Sequence, residues 1–357
     1  MITLEDIRER LAEIRLPGES RDIMALGMVT QLGFDQGRVT VHVQAGNLPQ
    51  PLVNATAADI RRAVGALEGV ADVDVQVIGS QPQGASPFGE LGPLPGVADI
   101  IAVSSTKGGV GKSTVAVNLA CALEQLGKRI GILDADVYGP SLPTMLGLSG
   151  RPRVADQSKI FPLEKYGLKA MSIGFFLDDR SPVIWRGPLV SGLVRQFLKD
   201  VVWGELDILV IDLPPGTGDA QLTLTQQVPL TGGVIVTTPQ EVSVADVERG
   251  VAMFSQVNTP VLGIIENMSY FLCPKCGKRE ALFGSGGGER LCRQFEVPLL
   301  GQIPLVPELR ISGDAGKPLV LDQPTHPVSR VFMEVAGKVL DRVAAEREHA
   351  PAPQIVG

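Results

Sequence analysis

The sequence predicts an α/β fold: a mostly parallel sheet covered by helices on both faces, preceded by a small N-terminal α/β domain. Three observations carry that expectation. From residue 98 onward, short runs apolar on both faces alternate with helical segments, the texture of strands buried between two layers of helix. One of those strands runs into a glycine-rich loop and then a helix. The first 79 residues carry instead a helical stripe, two alternating strands, a second helix and a last strand.

Within residues 1–79, ITLEDIRERLAEI sets Leu4, Ile7, Leu11 and Ile14 on one helix face. VTQLGFDQGRVTVHVQ alternates with period two on either side of the turn Asp35-Gln36-Gly37, a hairpin signal. ATAADIRRAVGAL reads as a helix and VADVDVQVI as the strand that closes the domain. Residues 80–97 concentrate Pro, Gly and Ser without any period and read as a linker. In the main domain, 98–345, the strand runs are IIAVSS, RIGILDAD, LDILVIDLP, GGVIVTTP and TPVLGIIEN. Val328, Val331, Phe332, Val335, Ala336, Val339, Leu340 and Val343 keep a helical stripe whose polar face mixes both charges. Such a helix is expected to dock on the sheet rather than lie on a membrane. Residues 346–357 read as a loose tail.

Composition narrows the function. The 357 residues are 44% hydrophobic and 20% charged with net charge −7, an acidic globular balance that argues against a general nucleic-acid binder. No run approaches the roughly 18 apolar residues that span a bilayer, and MITLEDIRER has no signal-peptide pattern. The expected setting is cytoplasmic, with no membrane or nucleic-acid partner. Thiols stay reduced there, so paired cysteines suggest metal or redox chemistry.

The chemistry begins at Thr106-Lys107-Gly108-Gly109-Val110-Gly111-Lys112-Ser113-Thr114, set between a strand and the helix VAVNLACALEQLG. Glycines let backbone N–H groups converge on phosphate oxygens, and the helix N-terminus adds positive potential. Lys112 is expected at the β- and γ-phosphates, the Ser113 hydroxyl on Mg²⁺ and Thr114 at the α-phosphate. Thr106 replaces the first glycine of the usual pattern, and Lys107 is an additional lysine. This departure resembles the deviant Walker A class of P-loop ATPases, which includes MinD, ParA and the nitrogenase iron protein. The resemblance implies that Lys107 acts across a homodimer interface on the partner's nucleotide. LDADVYGPS places Asp134 and Asp136 at the end of the next strand. By the same resemblance Asp136 positions or activates the attacking water, and Asp134 orients Mg²⁺ or its waters. ILVIDLPPGTGD ends a strand on Asp212, the expected Walker B carboxylate, with Gly216 in a second switch loop. No Asn-Lys-x-Asp guanine signature occurs, and the resemblance sets Asn267 of IIENMSYF against adenine; ATP is the expected nucleotide.

YFLCPKCGK supplies Cys273 and Cys276, for which three readings compete. A thioredoxin-like pair normally opens a helix, whereas GKREALFGSGGG reads as a loop. Structural zinc needs four ligands. Cys121 and Cys292 sit at packed helix positions, and the histidines are only His42, His326 and His349. The third reading completes the site by symmetry: two chains about a twofold axis give four thiolates, the set for a [4Fe–4S] cluster.

TKGGVGKST, LDADVYGPSLPTMLG, WRGP, DLPPGTGD and ENMSYFLCPKCGKREALFGSGGGERL together resemble the Mrp/ApbC family of iron–sulfur cluster carrier ATPases. That resemblance covers nearly all of 98–345. It implies a homodimer that binds a [4Fe–4S] cluster between subunits, hydrolyses ATP slowly and delivers the cluster to apo-proteins alongside cluster assembly factors. LPGESRDIMALGMV resembles the small accessory domain often fused to bacterial members, and VQAGNLPQPL lacks the cysteine that related domains frequently carry there. Target docking or regulation is the expectation for 1–79. The alternative is a MinD/ParA-like positioning ATPase acting on membrane or DNA, which leaves CPKCG unexplained and calls for a basic or membrane-seeking terminal helix.

Overall fold

The computed structural model describes residues 3–14, 22–35, 37–44, 50–67, 69–70, 72–78, 92–155, 159–176, 187–216, 219–273 and 275–349. Most of the expected linker, the Trp-Arg of WRGP, residues 45–49 of VQAGNLPQPL, residues 16–21 of LPGESRDIMALGMV and the tail beyond 349 lie outside them. The chain divides into two compact units, Met1–Ala85 and Ser86–Gly357.

The first unit runs α1 (Leu4–Leu11), β1 (Val29–Asp35), β2 (Arg38–Gln44), α2 (Gln50–Gly65) and β3 (Asp72–Ile78). Thr3 caps α1 in a reciprocal box with Asp6, satisfying N–H groups the first turn would leave unpaired. Ile7, Leu11 and Ile14 are buried as the stripe predicts, while Leu4, in the first turn, is 43% exposed. β1 and β2 form the antiparallel hairpin, and β3 adds parallel to β2.

The second unit continues with β4 (Val97–Ser104), α3 (Lys112–Gln125), β5 (Ile130–Asp134), α4 (Leu142–Leu146), β6 (Val154–Ala155), β7 (Lys159–Ile160), β8 (Leu163–Lys165) and β9 (Leu168–Ser172). Next come α5 (Gly187–Asp200), β10 (Leu206–Asp212), α6 (Asp219–Gln227), β11 (Gly232–Thr237), α7 (Glu241–Gln256) and β12 (Val261–Leu272). The chain ends with β13 (Arg279–Glu280), α8 (Gly287–Phe295), β14 (Leu299–Leu305), α9 (Pro307–Asp314), α10 (Leu319–Asp322) and α11 (Pro327–His349). Among the described residues the main sheet has the order β13-β12-β11-β4-β10-β5-β9-β8, with β14 on the other flank of β12. Only β8 and β13 run antiparallel to their neighbours in it.

Alternate residues of one strand feed two cores, which is why these runs lack a polar face. Ile101 and Val103 of β4 pack with α3 and α11, while Ile100 and Ala102 pack with Val194, Phe197 and Phe254 from the opposite layer. The α11 stripe packs against that first core from Val328 to Val343, with Val331 and Leu340 partly buried and the rest buried. The helix continues to His349, through residues that the sequence assigns to the tail.

β4, β5 and β10 run parallel and adjacent, so Ser104, Asp134 and Asp212 emerge together at one edge of the sheet. This parallel edge is where an open α/β sheet collects ligand-binding loops.

Candidate functional site

The loop from Ser105 to Gly111 turns the chain from β4 into α3. Gly111 precedes the helix at φ 79°, a left-handed conformation in which a side chain is strained. A Cβ there would also run into the carboxamide of Asn267. No side chain caps α3, so its first-turn N–H groups face the loop's concave side, as anion binding requires. A cavity of ≈230 Å³ opens on this side, walled by Lys107, Gly108, Gly109, Lys112, Ser113 and Asp136. A second cavity of ≈590 Å³ adjoins it, sharing Gly111, Thr114, Ser141 and Met145. Its far wall comes from Asn267, Met268 and the segment Pro304–Asp314. A small recess that carries lysine, serine and aspartate side chains, beside a larger and more apolar one, matches a triphosphate joined to a nucleoside.

Beneath the loop lies a buried charge cluster. Lys112 Nζ is 2.5 Å from Asp212 Oδ1 and 3.3 Å from Ser113 Oγ, with both ion-pair residues at most 5% exposed. Burial raises the Asp212 carboxyl, and the Lys112 ammonium pulls against that rise. Asp134 is 1% exposed and pushed up to about 7, first by burial and then by the charge of Asp212.

Asp134, expected to orient Mg²⁺ or its waters, has its carboxylate held by the loop that follows it. Its carboxylate does not line the cavity; it accepts from the Asp136, Ser141 and Leu142 N–H groups at 3.1, 3.1 and 3.2 Å and from Ser172 Oγ at 3.0 Å. Asp134 therefore anchors the loop that carries Asp136. Asp136 does reach the cavity wall, with Oδ1 accepting from the Gly139 N–H at 3.3 Å. Lys107 is half-buried on that wall and makes no ion pair among the described residues. The Gly216 N–H donates to the Ser105 carbonyl at 2.9 Å, tying the second switch loop to the root of the phosphate loop. Asn267 is 3% exposed and donates from Nδ2 to the Val110 carbonyl at 2.8 Å. It braces the phosphate loop as well as lining the larger cavity.

The cysteine pair sits at a hairpin tip. Phe271 and Leu272 of β12 pair with Glu280 and Arg279 of β13, where the sequence reads as a loop. The Cys273 N–H donates to the Lys278 carbonyl at 3.0 Å, and the Gly277 N–H to the Cys273 carbonyl at 2.8 Å. Backbone N–H groups of Lys275 and Cys276 point at the Cys273 sulfur and hold its thiol below the ordinary 9.0. Such a turn favours thiolates, the form that binds metal. Cys276 is exposed. Cys121 and Cys292 pack in the two cores; burial raises both thiols, Cys292 to about 11. His326 instead accepts the Val328 N–H at Nδ1, capping α11. Among the described residues no group of three or more His, Cys, Asp or Glu side chains converges as a metal site.

Residues 96–340 match the family described as NUBPL iron-transfer P-loop NTPase, and residues 4–77 match iron–sulfur cluster assembly protein. The chain belongs to the iron-transfer P-loop NTPase family. Among its relatives, an iron–sulfur cluster carrier protein of Synechocystis is 45% identical over 96% of this chain and 99% of its own. A nucleotide-binding protein from Archaeoglobus fulgidus, solved in complex with ADP, is 44% identical with TM-score 0.59, covering 67% of this chain and 93% of its own. The cell division ATPase MinD of Pyrococcus furiosus shares the fold at 20% identity and TM-score 0.52, over 68% of this chain and 99% of its own.

Two residues of this iron-transfer NTPase escape motif reading. Glu266, fully buried at the centre of β12, accepts from Ser269 Oγ, from the Gly288 N–H at 2.7 Å and from Gln302 Nε2 at 3.0 Å. The signal available for it was an acid closing the apolar run VLGIIEN. Met268, next to Asn267, stands at φ 52°, which costs an L-residue roughly 1–2 kcal/mol.

Proposed function

We propose that the protein is an ATP-dependent iron–sulfur cluster carrier: a homodimer whose paired Cys273 and Cys276 thiolates hold a [4Fe–4S] cluster between subunits and pass it to apo-proteins. The observation that carries this reading is the hairpin tip, where two cysteines meet no further ligand among the described residues. Two thiolates leave a tetrahedral or cubane site half complete, and a twofold axis supplies the remainder. The names of the relatives, iron–sulfur cluster carrier proteins, support the same cargo.

ATP occupies the two joined cavities, its phosphates against Gly108–Thr114 and its base toward Asn267. Lys112 exchanges Asp212 for the β- and γ-phosphate oxygens, moving its charge to where the transition state needs it. Ser113 and Asp212 would offer the hard oxygens that Mg²⁺ prefers, and the ion would supply positive charge beside the phosphates. Asp136 orients a water for in-line attack on the γ-phosphorus. The bond to the bridging oxygen breaks, ADP leaves, and the water's proton departs with inorganic phosphate. Lys107 reaches the partner's phosphates, so turnover requires the same dimer that completes the thiolate set.

The positioning-ATPase reading calls for a basic or membrane-seeking terminal helix, whereas the apolar stripe of α11 packs against the core among the described residues. The deciding experiment is anaerobic reconstitution with iron counting and size determination. About four irons per dimer are expected, lost in the Cys273→Ala, Cys276→Ala double variant. Full iron in that variant, or on a strict monomer, overturns the proposal.

A further inference from the structure

β12 is the one described strand that touches both chemical sites. At Asn267 it holds the Val110 carbonyl of the phosphate loop, and at Leu272 it opens the hairpin that carries Cys273 and Cys276. Between these points its ladder with β14 is irregular. β12 advances from Asn267 to Phe271 while β14 advances only from Ile303 to Leu305, so two extra residues bulge from the strand. Met268 starts the bulge in the left-handed region at φ 52°, and it lines the larger cavity beside Asn267 and Leu305.

Both ends of the bulge are fixed. On the near side, Glu266 is locked by Ser269, Gly288 and Gln302. On the far side, Phe271 pairs with Leu305 on one flank and Glu280 on the other. Within the bulge Met268 meets the cavity, Ser269 bonds to Glu266, and Tyr270 OH accepts from Arg279 of β13 at 2.7 Å, so a change that moves Met268 has a bonded route into the hairpin. The left-handed region is costly for an L-residue, so extended backbone is the intrinsically favoured alternative at Met268.

We propose that Met268 is a positioning residue that couples the nucleotide cavity to the thiols, its bulge shifting the Cys273–Cys276 hairpin when nucleotide fills the pocket. The inference rests on the carrier reading above and adds the path. A ligand shifts a two-state element only through differential contact with its two states, and Met268 is the bulge residue that meets the cavity. Coupling of this kind is reciprocal, so cluster loading must also alter nucleotide affinity by the same factor.

The test uses the full-length protein without cluster. The rate of Cys273 alkylation by iodoacetamide is followed by mass spectrometry with and without Mg·ATP, at concentrations saturating each variant. Wild type is expected to show a rate ratio of roughly fivefold, the lower end of ordinary allosteric coupling. Met268→Gly, which accepts positive φ freely and has no side chain in the cavity, brings the ratio close to one. Met268→Asn, which also tolerates that backbone, does the same and serves if the glycine variant is unstable. Met268→Leu restores the response by refilling the cavity. A purely structural role would change the apo rate or the melting temperature without altering the ratio. The proposal is overturned if both M268G and M268N keep the wild-type ratio, or if wild-type Cys273 ignores bound ATP. Iron content after reconstitution reports the carrier reading separately, so a loaded protein with an unresponsive thiol sinks this inference alone.

Discussion

Asp134→Asn isolates the proton that the buried acid cluster holds near neutrality. The Asp134 carboxyl titrates near 7 rather than 3.8, because burial and the neighbouring Asp212 charge both disfavour its ionised form. Between those two values the folded protein keeps a proton that the unfolded chain has released, so stability falls as pH rises. The contribution is complete below 3.8 and gone once pH has passed about 7. Over that window the loss is on the order of 4 kcal/mol, from about 1.4 kcal/mol per pH unit. For a domain of this size it corresponds to roughly 10 °C in melting temperature. Asparagine keeps the shape but cannot titrate. Its amide also turns a donor toward one of the N–H groups from Asp136, Ser141 or Leu142, costing about 1–3 kcal/mol. D134N should therefore melt below wild type at about pH 5 and close that gap toward about pH 8. Thermal unfolding followed by circular dichroism at constant ionic strength reads both slopes. A D134N protein with the full wild-type pH dependence would refute the reasoning, since other groups would then carry the proton.

Three further outcomes follow from the same geometry. Asn267→Ala leaves the buried Val110 carbonyl without its donor, so about 1–3 kcal/mol of stability is lost and nucleotide affinity falls; chemical denaturation and ATP titration measure the two effects, and an unchanged midpoint contradicts the brace. Alkylation of Cys273 should titrate with a midpoint below 9.0, while Cys121 is modified only after unfolding; peptide mapping across pH separates them, and equal reactivity would contradict the hairpin's effect on the thiol. Lys107→Ala should reduce ATP turnover at least tenfold while leaving monomer nucleotide affinity within about threefold, the pattern of an interaction made only in the transition state; retained turnover removes its role across the dimer.

The parts of the fold legible in sequence are those whose evidence is local. β4, β5, β10 and β11 announce themselves because burial on both faces removes polar residues from the run. β9 and β14 are quieter, as Lys169 interrupts one, and Gly301, Gln302 and Pro304 interrupt the other. The phosphate loop is legible for a related reason: its chemistry uses backbone and helix terminus, so glycine spacing states it directly. The larger cavity leaves no such mark, because its far wall comes from Pro304–Asp314, nearly 200 residues after the loop it adjoins.

Asp134 shows where the boundary falls. Its type and its place at a strand end were readable, but its carboxylate is held by the N–H groups of Asp136, Ser141 and Leu142 and by Ser172, which β9 brings alongside β5. A carboxylate beside a phosphate loop can face a metal or face its own loop, and the path of that loop decides between them together with a partner 38 residues away. The same logic makes β12 readable only in halves. Its apolar start reads as a buried strand and CPKC reads as a ligand pair, while the Met268 bulge depends on how β14 falls short of it by two residues. A mismatch between two strands belongs to neither sequence alone, so the Met268 bulge is a feature that local patterns cannot announce.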